Sequence, residues 1–234
     1  MLNRRLSRPL AIGAAVVVIG GGAVGIIGAT SGNGSAGASP GQTAIAGPLA
    51  KAGSNARSGP AAGGVVGTVS SVSTSSFAVT TSAGQKVTVK QTSSTTYRKG
   101  TSSASASAVT KGKPVLVLGT TNGTTITAAR VVVQPASGGS AAYTPSKVVS
   151  FQRGAPSTSK QDGKVPASYR QGSGTIVGGT TANRATTAAL AAYPGGVVDR
   201  VVKLSNGEYE VHNIGVNWPH HIFVSKSFRV VGAN

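Results

Sequence analysis

The 234-residue chain is predicted to carry a small all-β, barrel-like domain and a small α+β domain, a helix followed by antiparallel sheet, after an N-terminal transmembrane or signal helix. Three patterns predict this. Residues 10–29 are an uncharged run of apolar residues and glycine behind Arg4, Arg5 and Arg8. Residues 64–135 hold short β-branched runs separated by turn residues, the signature of strands. From residue 177 a small-residue helical stretch is stopped by Pro194-Gly195-Gly196, and alternating strands follow.

The leader, residues 1–30, is long enough to cross a bilayer as a helix, since about 20 residues at about 1.5 Å each match a hydrocarbon core of about 30 Å. Its basic flank would stay inside. Ala36-Gly37-Ala38 offers a small-residue cleavage site, so a signal peptide removed near Ala38, with secretion of the rest, is the alternative to a retained signal anchor. Both place the following domains outside the cytoplasmic membrane. Residues 31–63 are rich in Gly, Ala, Ser and Pro without an aromatic residue, a composition that cannot offset ordering entropy by burial and reads as a flexible tether.

In residues 64–135, Val65, Gly67 and Val69 share one strand face. Phe77 and Val79 face Val87 and Val89 across a turn near Ala83-Gly84. Val115–Leu118 and Ile126–Val133 flank Asn122-Gly123, a pair suited to a tight reversal. Thr101–Ser107 reads as a polar loop. Five or six antiparallel strands curling into a barrel protect their edges while burying one face. The succession Val66-Gly67-Thr68-Val69-Ser70-Ser71-Val72, Phe77-Ala78-Val79-Thr80-Thr81, Val87-Thr88-Val89 and Lys111-Gly112-Lys113-Pro114-Val115-Leu116-Val117 resembles DUF5666, a family of small extracytoplasmic all-β domains. That resemblance implies a fold and a location but no catalytic activity. Lys113-Pro114 stands where the family often carries an acidic residue.

Residues 136–176 return to Pro, Gly, Ser and Ala and read as a second linker, interrupted by Tyr143, Phe151 and Tyr169. A lesser alternative lets Val148–Phe151 add a strand. In residues 177–234, Thr180 or Thr181 is expected to cap a helix through Ala185, Ala189 and Ala192, with Leu190 and Tyr193 on its larger surface. Val198–Leu204 forms a strand and Asn206-Gly207 a turn. Tyr209 and Val211 then lie opposite Glu208, Glu210 and His212 on the return strand. Ile222 and Val224 mark a third strand, and Phe228 and Val230 anchor the last. Ala188-Ala189-Leu190-Ala191-Ala192-Tyr193-Pro194-Gly195, Val198-Asp199-Arg200-Val201, Gly207-Glu208-Tyr209-Glu210-Val211-His212 and Phe228-Arg229-Val230-Val231-Gly232, in that order, resemble the PepSY family. The resemblance implies an extracytoplasmic α+β module and, in some members, restraint of peptidases. Asn217-Trp218-Pro219-His220-His221 departs from it, since many relatives place a short hairpin turn there.

Composition narrows the chemistry. The net charge is +18, with 22 Lys and Arg against four carboxylates, and there is no cysteine, which excludes disulfides and thiolate sites. The cations form no dense block. Lys86, Lys90, Arg98, Lys99, Lys111, Lys113 and Arg130 sit among Thr and Ser, with only Phe77 and Tyr97 near them for stacking, so no specific nucleic-acid partner is expected. An anionic cell-wall polymer or lipid surface suits such spacing.

Trp218, with Asn217, Pro219, His220 and His221, is the candidate recognition turn, unless the indole instead fills the core of a domain of about 55 residues. His212 and Glu210 share a strand face and would form a metal site only if His220 or His221 folded beside them, whereas two adjacent histidines on an extended segment point apart. No hydrolase elbow or phosphate loop is present, and Glu208 and Glu210 lie on one face rather than across a cleft. The expectation is a non-enzymatic cell-envelope protein without cofactor. Its partner is an envelope protein or peptidase, or alternatively an anionic polymer bound by the basic β domain.

Overall fold

In the computed structural model the period-2 pattern of residues 61–133 closes on itself. The chain runs through β1 (Ala61–Val72), β2 (Ser76–Thr80), β3 (Lys86–Lys90), β4 (Thr96–Lys99), β5 (Ser102–Ala104), a 3-10 turn, β6 (Pro114–Asn122) and β7 (Thr125–Val133). The structure describes residues 59–134 and 146–234; the leader, the site near Ala38, the tether up to residue 58 and Tyr143 lie outside the described residues.

Five strands make the barrel. β1 pairs with β2, β2 with β3, β7 with β6 and β6 with β1, all antiparallel, while β3 and β7 close the circle in parallel. The expected pairs Phe77↔Val89 and Val79↔Val87 form, and Gly84 and Gly123 turn the hairpins at positive φ. Val65, Val79, Val89, Val115, Val117 and Ile126 point inward and are wholly buried. Each such side chain contributes about 1.5–3 kcal/mol relative to exposure. β5 forms inside the expected Thr101–Ser107 loop, and β4, parallel to the far half of β7, forms just before it; both are short and almost wholly polar, so no alternation marks them.

β1 also leaves the barrel. Along one edge it pairs with β6 from Ala61 to Thr68; along the other it pairs first with β11 (Val197–Lys203) at Gly64↔Val198 and Val65↔Val197, then with β2 from Thr68 onward. One sheet therefore runs from the barrel into the C-terminal strands. Close approach demands the glycines: a Cβ at Gly63 would lie 2.0 Å from the Val198 carbonyl oxygen, and one at Gly64 2.3 Å from that of Val117.

The C-terminal half is built from α1 (Gly179–Ala192), β12 (Tyr209–Ile214), β13 (Val216–Trp218), β14 (His221–Val224) and β15 (Val230–Ala233), with β11, β12, β14 and β15 adjacent in that order. Gly178, rather than Thr180 or Thr181, occupies the N-cap, and no side chain caps the helix. Small residues at Ala182, Ala185 and Ala189 let α1 pack with Val66, Leu116 and Leu118, whose side chains face out of the barrel, and with Val201, Val211 and Ile222 of the sheet. The β2–β3 hairpin is tied to the end of the helix segment, Thr81 Oγ1 donating to the Gly195 carbonyl at 2.6 Å and Ser82 Oγ to that of Pro194 at 2.9 Å.

Residues 146–176, expected as linker, are instead part of this fold. β8 (Val149–Ser150) pairs with β13, β9 (Asp162–Gly163) with β15 and β10 (Thr175–Val177) with β11. Val148 is fully buried, while Val165, Tyr169 and Ile176 pack over Val202, Leu204 and Phe223 on the sheet face away from α1. Isolated apolar residues in a bland segment thus acquire partners that only the tertiary fold supplies.

Gly64→Ala drives a methyl group into the β1–β6–β11 junction and is expected to lower stability by about 1–3 kcal/mol. Chemical denaturation checks this, and an unchanged midpoint contradicts it.

Candidate functional site

The strand register places Arg200, His212 and His221 side by side across β11, β12 and β14, with Glu210 beside Phe223 in the next row. All lie on the sheet face opposite Tyr209 and Val211, as the alternation requires. His212 and Glu210 share a face but do not pair. His212 Nδ1 lies 2.6 Å from Asp199 Oδ1, and His221 Nδ1 lies 2.7 Å from Glu210 Oε1. Each imidazole facing a carboxylate through Nδ1 carries its proton there, which fixes ring orientation and tautomer. Arg200 adds a bond to Asp199 Oδ2 at 3.3 Å. Tyr169 OH stands 3.1 Å from His221 Nδ1, and burial foremost, then the charge of Glu210, pushes the phenol pKa up.

His220 completes the group. Its ring centre is 4.2 Å from that of His212 and 4.9 Å from that of His221, so the adjacent histidines do not point apart. His220 precedes β14 in a bend, outside the alternation, and the backbone N–H groups of both residues donate to the Asn234 carbonyl at 2.8 and 2.9 Å. Burial, then the neighbouring imidazoles and Arg200, lowers the His220 pKa to about 4, against a partial opposing pull from Asp199. Among the described residues, no three His, Asp or Glu side chains are placed to hold a metal ion.

The recognition turn is divided by the fold. Trp218 is 1 % exposed, its Nε1 donates to the Lys160 carbonyl at 2.6 Å, and its ring meets Tyr193 edge-on at 5.6 Å. An accessible indole anchor is thereby replaced by a core residue. Pro219 is buried as well, and its carbonyl accepts from Asn213 Nδ2 at 3.1 Å. Asn217, His220 and His221 line a cavity of about 330 Å³ together with Phe151, which is 60 % exposed.

The cationic candidates lie elsewhere, on the barrel. Lys86 and Lys90 project outward from β3, about 13 Å apart at about 3.3 Å per residue. Their outward neighbours are Thr80, Ser76 and Thr127. Arg98 and Lys99 project from β4, Lys111 and Lys113 from the turn before β6, and Arg130 from β7; all seven are exposed. Residues 59–134 contain no carboxylate. The chain's four carboxylates are bonded elsewhere: Asp162 accepts from Tyr193 OH at 2.7 Å, Glu208 Oε2 accepts from Asn206 at 2.7 Å, and Asp199 and Glu210 hold the histidines.

Sequence reasoning missed Asp199 and Tyr169 as members of the histidine cluster. A register shift between Val198 and Arg200 brings Asp199 to His212, and Tyr169 arrives from a segment that composition marks as linker. Neither leaves a local signal. No protein-family model, curated protein or solved structure matches the chain.

Because His220 has a pKa of about 4 in the fold against 6.5 ordinarily, the unfolded chain takes up a proton first. Its contribution to stability is present above pH 6.5 and is lost as pH falls toward about 4. His220→Asn is expected to flatten that part of the stability profile, seen as Tm between about pH 4 and pH 7. An equal fall in Tm in both proteins contradicts it.

Proposed function

We propose that the chain is a non-enzymatic, extracytoplasmic binding protein that captures an anionic cell-envelope polymer on the cationic face of its barrel. Residues 10–29 serve as membrane anchor and residues 31–63 as tether, which raises the local concentration of the module at the envelope. One observation carries the proposal: seven exposed cations share residues 59–134 with no carboxylate, while every carboxylate of the chain is bonded outside the barrel. Lysines spaced along the exposed face of β3 among Thr and Ser suit a repeating polyanion that needs no shaped pocket. The resemblances to DUF5666 and PepSY agree with an extracytoplasmic location.

A second proposal keeps an envelope protein or peptidase as the partner of the PepSY-like half. The exposed Phe151 beside Asn217, His220 and His221 supports it, whereas the burial of Trp218 removes its most obvious anchor.

Binding to a purified phosphate- or carboxylate-bearing wall polymer is expected to weaken at least about tenfold between about 0.05 M and about 0.5 M salt. Replacing Lys86, Lys90, Arg98, Lys99, Lys111 and Lys113 by Gln should abolish it while Tm is kept. Anionic vesicles separate a lipid surface from the polymer. Salt-independent binding, or full binding by the neutralised variant, refutes the proposal.

A further inference from the structure

α1 meets the outer wall of the barrel beside the turn between β14 and β15, and a groove of about 530 Å³ lies along this seam. Arg184 of α1 and Arg130 of β7 line it. Neither has a carboxylate partner among the described residues, where the one Arg–carboxylate pair is Arg200–Asp199. Thr180 and Asn183 add polar side chains, and Ala188, Ala191 and the half-buried Phe228 supply apolar surface.

Phe228 is the second observation. It is the one residue other than glycine with positive φ among the described residues, at 63°. A bulky side chain is rarely found there, and a glycine or asparagine would make the same turn without strain. The conformation lays the ring flat against Tyr209, with centroids 5.3 Å apart and planes 12° apart, and under Arg184, whose guanidinium carbon is 4.1 Å from the ring centre. The strained backbone is thus spent on fixing an aromatic floor and the cation above it.

We propose that this groove binds a phosphate monoester carrying a short apolar body. Two unpaired guanidiniums and no lining carboxylate match a group that bears about −1.5 to −2 charge at neutral pH better than they match a carboxylate of single charge. Planar guanidinium forks suit its oxygens. Thr180 stands in the first turn of α1, which carries no acidic residue, so the positive end of the helix dipole reinforces the same preference. The volume exceeds what a phosphate group fills and leaves room for a short apolar chain against Ala188, Ala191 and the edge of Phe228. Of the seven barrel cations the groove takes only Arg130, and Lys86, Lys90, Arg98, Lys99, Lys111 and Lys113 do not line it, so the two sites are separable by substitution.

Titration calorimetry of the full-length protein with hexyl phosphate, inorganic phosphate and hexanoate tests the assignment. Hexyl phosphate is expected to bind at least about tenfold more tightly than either of the others, because only it engages both the guanidiniums and the apolar floor. Arg130→Gln and Arg184→Gln should each weaken it by about tenfold, Arg184→Lys by less, and the six-residue polymer-face variant not at all. Near-ultraviolet circular dichroism establishes that each variant is folded. No binding of hexyl phosphate at millimolar concentration, equal affinity for hexanoate, or unchanged affinity in the folded Arg130→Gln/Arg184→Gln double variant overturns the proposal.

Discussion

β1 is hydrogen-bonded along both edges, and its change of partner on one of them organises everything else. Along one edge it accompanies β6 and closes the barrel; along the other it leaves β11 and takes up β2 within a few residues. Gly63 and Gly64 make the junction possible, because carbonyl oxygens of neighbouring strands occupy the space of a side chain. With β11 held against β1, the outward side chains Val66, Leu116 and Leu118 become a floor for α1 instead of a solvent face. The barrel is consequently buried on both sides of its wall at this place, inside by its own valines and outside by the helix. The described residues accordingly belong to one compact unit.

The same junction separates the charges. The C-terminal strands hold Asp199 and Glu210 against His212 and His221, away from the barrel lysines, and Asp162 and Glu208 bond locally. Among the described residues no carboxylate pairs with the cations of β3 and β4, which is the physical reason to look for an anionic partner there. At the helix seam two guanidiniums border a groove with a partly apolar lining. Diffuse charge on an exposed strand face suits a long polyanion, whereas a shaped groove with two forks suits one small anion.

Much of the strand layout was legible because turn chemistry and period-2 alternation are local. Gly84, Asn122-Gly123 and Asn206-Gly207 set hairpins whose registers bring the expected faces together. The short strands β4 and β5 escaped notice because four- and three-residue polar strands have no apolar alternation. Residues 146–176 looked like linker because Gly, Ser and Pro dominate, yet Val148, Val165, Tyr169 and Ile176 each find a surface built by distant segments. For the site, the face shared by Glu210 and His212 was readable, but their crossed partners were not. Asp199 reaches His212 through a strand irregularity, and His220 turns toward His212 from outside the regular strand. The indole of Trp218 illustrates the wider difficulty: lone aromatic residues beside turns have the same sequence appearance whether buried or displayed.

If β1 joins the barrel and the C-terminal sheet into one cooperative body, the two must open together. Native-state amide hydrogen exchange measures this residue by residue. The junction predicts that the slowest amides of β6 and β7 and those of β12 and β14 report one opening free energy that falls with denaturant along one line. Separate free energies and slopes for the two groups, with the barrel opening while β12 and β14 stay protected, would contradict it.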